Sequence, residues 1–267
     1  MRDIIRINHL TFNYNKRPVF IDFNLSIKEG SYISISGANK CGKTTLIKLI
    51  AGILPNNGSI ILNYSYLDTK DNITPDLGIV LSNMKNSFIT NSVYKELCFT
   101  LENLKYPPDL IEKRVVEVSK KLKIAHLLES KIDDLTTREK QILLIACALI
   151  HKPKILLLDN PFYLLNKEDI LLFKKLFLQL KNRDHVTIVF MSNNLEDTLD
   201  SDYLYILNQG KIAIEGEPIS VMQQEKLLTK LGLELPFLVD LSHKLKFYGL
   251  IDDIIIDMES MVNKLWK

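Results

Sequence analysis

Polar and apolar residues alternate from the start of the chain. In "IIRINHLTFNY" and again in "VFIDFNLSI" the character changes residue by residue, the period of a half-buried strand. The polar residues 15–17 between them predict a turn and an antiparallel pair. "YISISG" is a short strand that ends on glycine. The spacing then becomes helical in "KTTLIKLIAGIL", with Leu46, Ile47, Leu49, Ile50 and Ile53 on the apolar side. "GSIIL" and "LGIVL" read as further strands. From 92 to about 150 the pattern is mostly helical, and "LIEKRVVEVSKKLKI" puts Leu110, Val115, Val118 and Leu122 on one face. A buried strand runs into Asp159, a helix covers 170–180, and "VTIVFMS" is another strand. "YLYILNQGKIAIEG" is a hairpin that turns at Gly210. The last forty or so residues form a separate helical stretch. The expected class is α/β, a strand-rich core interrupted by a helical block.

Composition narrows this little. The 267 residues, 46% hydrophobic and 25% charged, suit one large domain with a small appendix. A net charge of +2 makes no case for nucleic acid as a partner. Cys41, Cys98 and Cys147 are scattered and odd in number, which reads as reduced thiols and not a disulfide framework. The N-terminal stretch lacks the apolar core of a signal peptide. The longest apolar run, 142–150, is about half of what crosses a bilayer. Any membrane role is expected to run through a partner.

The chemistry sits in "GANKCGKTT". Gly37, Gly42, Lys43 and Thr44 fit the phosphate-loop pattern, after a strand and at the start of a helix. Backbone N–H groups of such a loop wrap phosphates, from Gly37 through Ala38, Asn39, Lys40 and Cys41 to Thr45. Lys43 reaches the β and γ phosphates, and the Thr44 hydroxyl binds Mg²⁺. Asp159, at a strand end, is the expected carboxylate on the magnesium side. ATP and Mg²⁺ are the implied ligands. Asn160 follows Asp159 where many such proteins carry a glutamate, and an amide cannot take a proton from water.

The chain resembles the ATP-binding-cassette (ABC) ATPases. Tyr14 lies where that family stacks an aromatic on adenine. "DLTTREKQILLIACALIHKPKILLLDNP" has the layout of the family's signature, its helix and the strand that carries the magnesium aspartate. The resemblance is nearer still to the ATPase subunits of energy-coupling-factor (ECF) vitamin and metal-ion importers, through "LGIVLSNMKNSFITNSVYKELCFTLENL", "GLELPFLVDLSHKLKFYGL" and "MVNKLW". It implies a P-loop fold with a RecA-like core, an antiparallel β subdomain, and a helical subdomain inserted at about 85–150. The ATP-binding domain would span 1–218 and a C-terminal helical extension, used for dimerisation, 219–267. It also implies a heterodimer with a second ABC ATPase, a transmembrane scaffold subunit, a substrate-binding membrane subunit, and a place on the cytoplasmic face of the membrane. Glu96 matches an acid that meets arginines of the membrane subunit; a solvated helix face is the other reading.

The sequence departs from the family where the γ-phosphate and its water are handled. The glutamine of the Q-loop falls at Ser82, a side chain too short to span to Mg²⁺ as glutamine does. The catalytic glutamate falls at Asn160, the D-loop aspartate at Asn166, and the switch histidine at Asn193. Lys40 replaces a loop glycine. The signature reads Leu135-Thr136-Thr137-Arg138-Glu139, where the family places glycines against the opposing subunit's nucleotide. Arg138 either blocks that approach or reaches the phosphate itself. The expectation is a subunit that binds Mg-ATP and hydrolyses it weakly. The alternative is an ATP-dependent interaction module without hydrolysis.

Overall fold

The computed structural model describes residues 2–15, 17–55, 59–63, 65–66, 76–82 and 87–266. Lys16 of the first turn, Gly58 of "GSIIL" and the expected start of the helical subdomain at 85 lie outside them. Two long strands, β1 (Asp3–Tyr14) and β2 (Arg17–Lys28), pair antiparallel, with Ile7 opposite Leu25. Strand β3 (Tyr32–Ser36) leads into α1 (Lys43–Ile50). Strands β4 (Ile60–Leu62) and β5 (Ser65–Tyr66) complete a small sheet ordered β2-β1-β4-β5. Next come β6 (Leu77–Val80) and the helices α2 (Val93–Asn103), α3 (Pro108–Lys121) and α4 (Thr137–Leu149). Strand β7 (Ile155–Asp159), helix α5 (Lys167–Asp184) and strand β8 (Thr187–Ser192) follow. The hairpin β9 (Tyr203–Asn208) and β10 (Lys211–Gly216) closes the larger sheet. Its order is β10-β9-β3-β8-β7-β6, parallel from β9 to β6, with β10 antiparallel at one edge. Four short helices end the chain: α6 (Pro218–Met222), α7 (Glu225–Lys230), α8 (Phe237–Phe247) and α9 (Met258–Leu265).

The larger sheet is covered on both faces, which is why β7 and β8 are unbroken apolar runs and not alternating ones. Ile33, Ile35, Leu157, Val189 and Met191 pack with Leu46, Ile47, Leu49 and Ile50 of α1 and with Ile4, Ile5 and Ile7 of the small sheet. The alternate residues Tyr32, Leu156, Leu158, Ile188 and Phe190 pack with Ile142 and Ile145 of α4 and Phe173 and Phe177 of α5. Each fully buried Leu, Ile or Phe contributes roughly 1.5–3 kcal/mol over an exposed one, so the sheet is the rigid part of the molecule.

Two expected faces shift. Ile111 is the buried residue of α3, beside Val115 and Val118, and Leu110 is only half-buried. Ile111 stands four residues before Val115 and seven before Val118, which is one helix face, and Leu110 is one residue off that spacing. Helix α1 stops at Ile50, and Ile53, expected on its apolar side, lies beyond the end at 52% exposure. The tail is also less separate than its sequence reads. Val221, Met222, Leu228, Leu233 and Val239 share a third core with Leu195, Leu204, Ile206 and Ile214. The expected domain division at 218/219 falls within α6.

His151 is buried behind the sheet, with Nε2 3.2 Å from the Leu77 carbonyl. Burial holds its imidazole below the usual histidine range. On acidification the unfolded chain takes up this proton before the folded one, so stability falls as pH drops below the ordinary histidine value of about 6.5. His151→Gln is expected to lose less melting temperature between about pH 7.5 and 5.5 than the parent. Equal acid sensitivity of the two proteins in thermal melts would refute it.

Candidate functional site

The loop 37–42 joins β3 to α1 at the carboxyl end of the parallel strands, where open α/β sheets place their ligands. A side chain at Gly37 would overlap the Leu207 carbonyl of β9, so only glycine fits there. Gly210 N donates to Cys41 O at 3.2 Å, and a side chain at Gly210 would overlap the Val19 carbonyl. The hairpin tip is thus packed against the back of the loop. Lys43 is buried, and its Nζ donates to the carbonyls of Gly37 (2.6 Å) and Ala38 (3.1 Å), with Cys41 Sγ at 3.6 Å.

Asp159 ends β7 fully buried. Its Oδ2 accepts from Thr44 Oγ1 at 2.7 Å and from Ser82 Oγ at 2.8 Å. The serine at the Q-loop position thus meets the strand-end aspartate directly. The reason is β6, which lies beside β7 with Val80 opposite Leu158, so the chain leaves the sheet next to the aspartate. Two hydroxyls and a carboxylate are hard oxygen donors of the kind Mg²⁺ takes, with phosphate oxygens and water making up the rest.

Three asparagines connect the other side. Asn193 N donates to Asn160 Oδ1 at 3.2 Å, and Asn193 Nδ2 donates to Asn39 Oδ1 at 2.7 Å. Asn160 Nδ2 lies 3.4 Å from Asp159 Oδ1. Asn160 has φ 47°, a left-handed conformation that asparagine tolerates better than most residues. A cleft of about 290 Å³ is lined by Tyr14, Val19, Lys40, Lys43, Thr44, Thr45, Asn160 and Asn193. The expected adenine-stacking ring and the phosphate loop thus open on one space. A neighbouring cleft of about 520 Å³ joins Ser82, Asn160 and Asn193 to Asp197, which the sequence reading passed over. Burial raises the Asp197 carboxyl, and Ser192 Oγ donates to it at 2.9 Å.

The signature helix carries its own anions. Thr136 caps α4, and Glu139 Oε2 accepts from Thr136 N (2.8 Å) and Thr136 Oγ1 (2.7 Å), bonds that hold its carboxyl below the usual range. Arg138 forks onto Asp169, Nε to Oδ2 at 2.5 Å and Nη2 to Oδ1 at 2.7 Å. Glu96 is neither a solvated face nor a free acid. It is buried and accepts from Thr90 N at 2.8 Å and from Ile89 N, pinning the segment before α2.

A phosphate loop on a mainly parallel sheet, a buried aspartate on a neighbouring strand, a helical block between them, and an antiparallel sheet at the side define an ABC-type nucleotide-binding cassette. The ABC transporter family matches residues 20–163, and the chain belongs to that family, among the energy-coupling factor ATP-binding proteins. It is 30% identical to the energy-coupling factor transporter ATP-binding protein EcfA1 of Lactobacillus delbrueckii subsp. bulgaricus, covering 99% of this chain and 97% of that protein. The Fusobacterium nucleatum protein of the same name is 34% identical over 99% of each. Among solved structures, cbiO1 from Clostridium perfringens, part of the ABC transporter complex cbiONQ, superposes with a TM-score of 0.75 at 26% identity, covering 92% of this chain and all of that one. A bacterial ABC transporter cassette solved as a dimer gives 0.73 at 21% identity, over 80% of this chain and 98% of its own, and speaks for the fold alone. Among the described residues no helix is long and apolar enough to cross a membrane.

Proposed function

We propose that the chain is the ATP-binding subunit of an ECF-type importer for a vitamin or metal ion, and that it binds Mg-ATP while hydrolysing it weakly at its own site. The observation that carries this reading is a complete Lys43, Thr44 and Asp159 set beside a γ-phosphate side built from Asn39, Asn160 and Asn193. Asparagine orients water without removing its proton. Lys43 and Thr44 hold the β and γ phosphates and the ion, Ser82 and Asp159 complete the oxygen set, and Tyr14 covers the base. Mg²⁺ supplies charge neutralisation between the phosphates. The domains are 1–218 for nucleotide and 219–267 for pairing, with a second ABC ATPase, a membrane scaffold and a substrate-binding membrane subunit completing an assembly on the cytoplasmic face. ATP then times dimer closure more than it is consumed. Phosphate release by the chain with its partner, set against the chain alone, tests the reading. Equal, fast release by the isolated chain would contradict it. No release by either would favour the second reading, a non-hydrolysing ATP-dependent module, which the asparagine chain also supports.

The pairing role rests on the tail. Phe237, Phe247, Tyr248, Met258 and Trp266 are 66%, 84%, 74%, 57% and 79% exposed, and Val262 and Leu265 lie beside them in sequence on α9. Leu238, Leu241 and Leu245 of the same stretch are half-buried against the chain itself and are not part of that surface. Large aromatics left in water fit a surface that is covered in an assembly. Removing the residues after Glu234 is expected to abolish copurification with the partner. That cut also removes Val239 from the third core, so Phe247→Glu with Trp266→Glu is the cleaner test. Full copurification of that folded double variant would end the proposal.

A further inference from the structure

Two helix N-termini, those of α4 and α5, meet at the signature, and each is closed by its own carboxylate. Glu139 is the third residue of α4 and bonds back to Thr136. Asp169 is the third residue of α5 and shares a capping box with Asn166, which accepts from Asp169 N at 2.9 Å. An N-terminus filled in this way offers little to an incoming phosphate, since its dipole is already neutralised and its foremost bonds are used. Of the signature residues, Arg138 alone carries positive charge, and a guanidinium fork suits phosphate as well as carboxylate. That fork is engaged on Asp169, whose side chain is 12% exposed while Arg138 remains 45% exposed. The pair ties the signature of the helical block to the start of α5 just past the D-loop position Asn166, 31 residues away.

We propose that Asp169 withholds Arg138 from the triphosphate of the nucleotide held by the opposing subunit, and that closure of the dimer requires Arg138 to exchange the carboxylate for that phosphate. This rests on the ABC-dimer reading above, in which the signature faces the partner's nucleotide. Asp169 is then a positioning residue and Arg138 the phosphate contact. The exchange is local: both acceptors are anions, and an arginine bond to either is charge-assisted. Glu139, fixed at the helix end, makes the free signature repel a triphosphate until Arg138 turns.

The test uses the full chain in complex with its partner ATPase, with fluorescent labels on the two subunits reporting closure as Mg-ATP is added. Arg138→Ala removes the contact and should raise the Mg-ATP concentration for half-closure about tenfold. Asp169→Asn keeps the helix cap but frees the fork, and should lower that concentration several-fold. The double variant should follow Arg138→Ala, and Arg138→Lys, without a fork, should fall between. Thermal melts separate this from a strut: both single variants lose the same ion pair, so their melting temperatures should move together while closure moves in opposite directions. Closure shifting the same way in both, or in neither, would overturn the inference while leaving the nucleotide-binding role intact. If a fluorescent ATP analogue does not bind the complex at all, the function proposed above falls, and this inference with it.

Discussion

Lys43→Ala is expected to abolish Mg-ATP binding with little change in fold. The ammonium is buried and donates to the Gly37 and Ala38 carbonyls. It is therefore desolvated and held across the loop. Charged hydrogen bonds are worth about 1.5–3 kcal/mol each, so losing bonds to two phosphates costs at least two decades of affinity. The loop itself is fixed from behind by Leu207 and Gly210, which alanine at 43 does not touch. Calorimetric titration with Mg-ATP should thus show no saturable heat, while circular dichroism and melting stay near those of the parent. Unchanged affinity would remove the basis for treating the chain as a nucleotide-binding subunit.

Asn160→Glu alone is expected to leave hydrolysis close to absent. A positioned base contributes about 10²–10⁴ in rate, so restoring glutamate by itself argues for a large gain. Two features of the site oppose it. Asn160 has φ 47°, a conformation that costs a glutamate roughly 1–2 kcal/mol. Asn160 Oδ1 also accepts from Asn193 N, within a chain of amides reaching Asn39, and a longer anionic side chain breaks that bond before it finds water. The neighbouring positions remain altered, and groups that act as a unit are strongly non-additive. Phosphate release at saturating Mg-ATP should rise only in a variant that also carries Asn193→His, Ser82→Gln and a glycine signature. Turnover near a typical 1–10 per second in the single variant would show that the other substitutions are harmless.

What the sequence disclosed was chemistry carried by neighbouring residues. Gly37 to Thr45 lie within one turn and one helix start, so spacing alone placed the lysine and threonine. The strand into Asp159 was legible because a covered parallel strand must be apolar on both faces. Contacts between distant residues left no such trace. Ser82 meets Asp159 only because β6 and β7 are neighbours in the sheet. Arg138 and Asp169 sit on separate helices, and nothing in either's local sequence names the other. Glu96 read as a surface acid because helical periodicity does not reveal that Ile89 and Thr90 fold back over it. On α3, Ile111 turns inward in place of Leu110 because it stands four residues before Val115, on the same face, whereas Leu110 stands five before it.

The hairpin β9–β10 is held at two places. Its tip, through Gly210 and Leu207, is the wall behind the phosphate loop; its flank, through Leu204, Ile206 and Ile214, is the floor on which Val221, Met222, Leu228 and Val239 rest. One ribbon of backbone therefore carries both the grip on nucleotide and the grip on the tail. The two properties are not free to diverge independently. Change in residues 221–239 is bounded by the shape of the loop 37–42, although no residue of the one need touch the other.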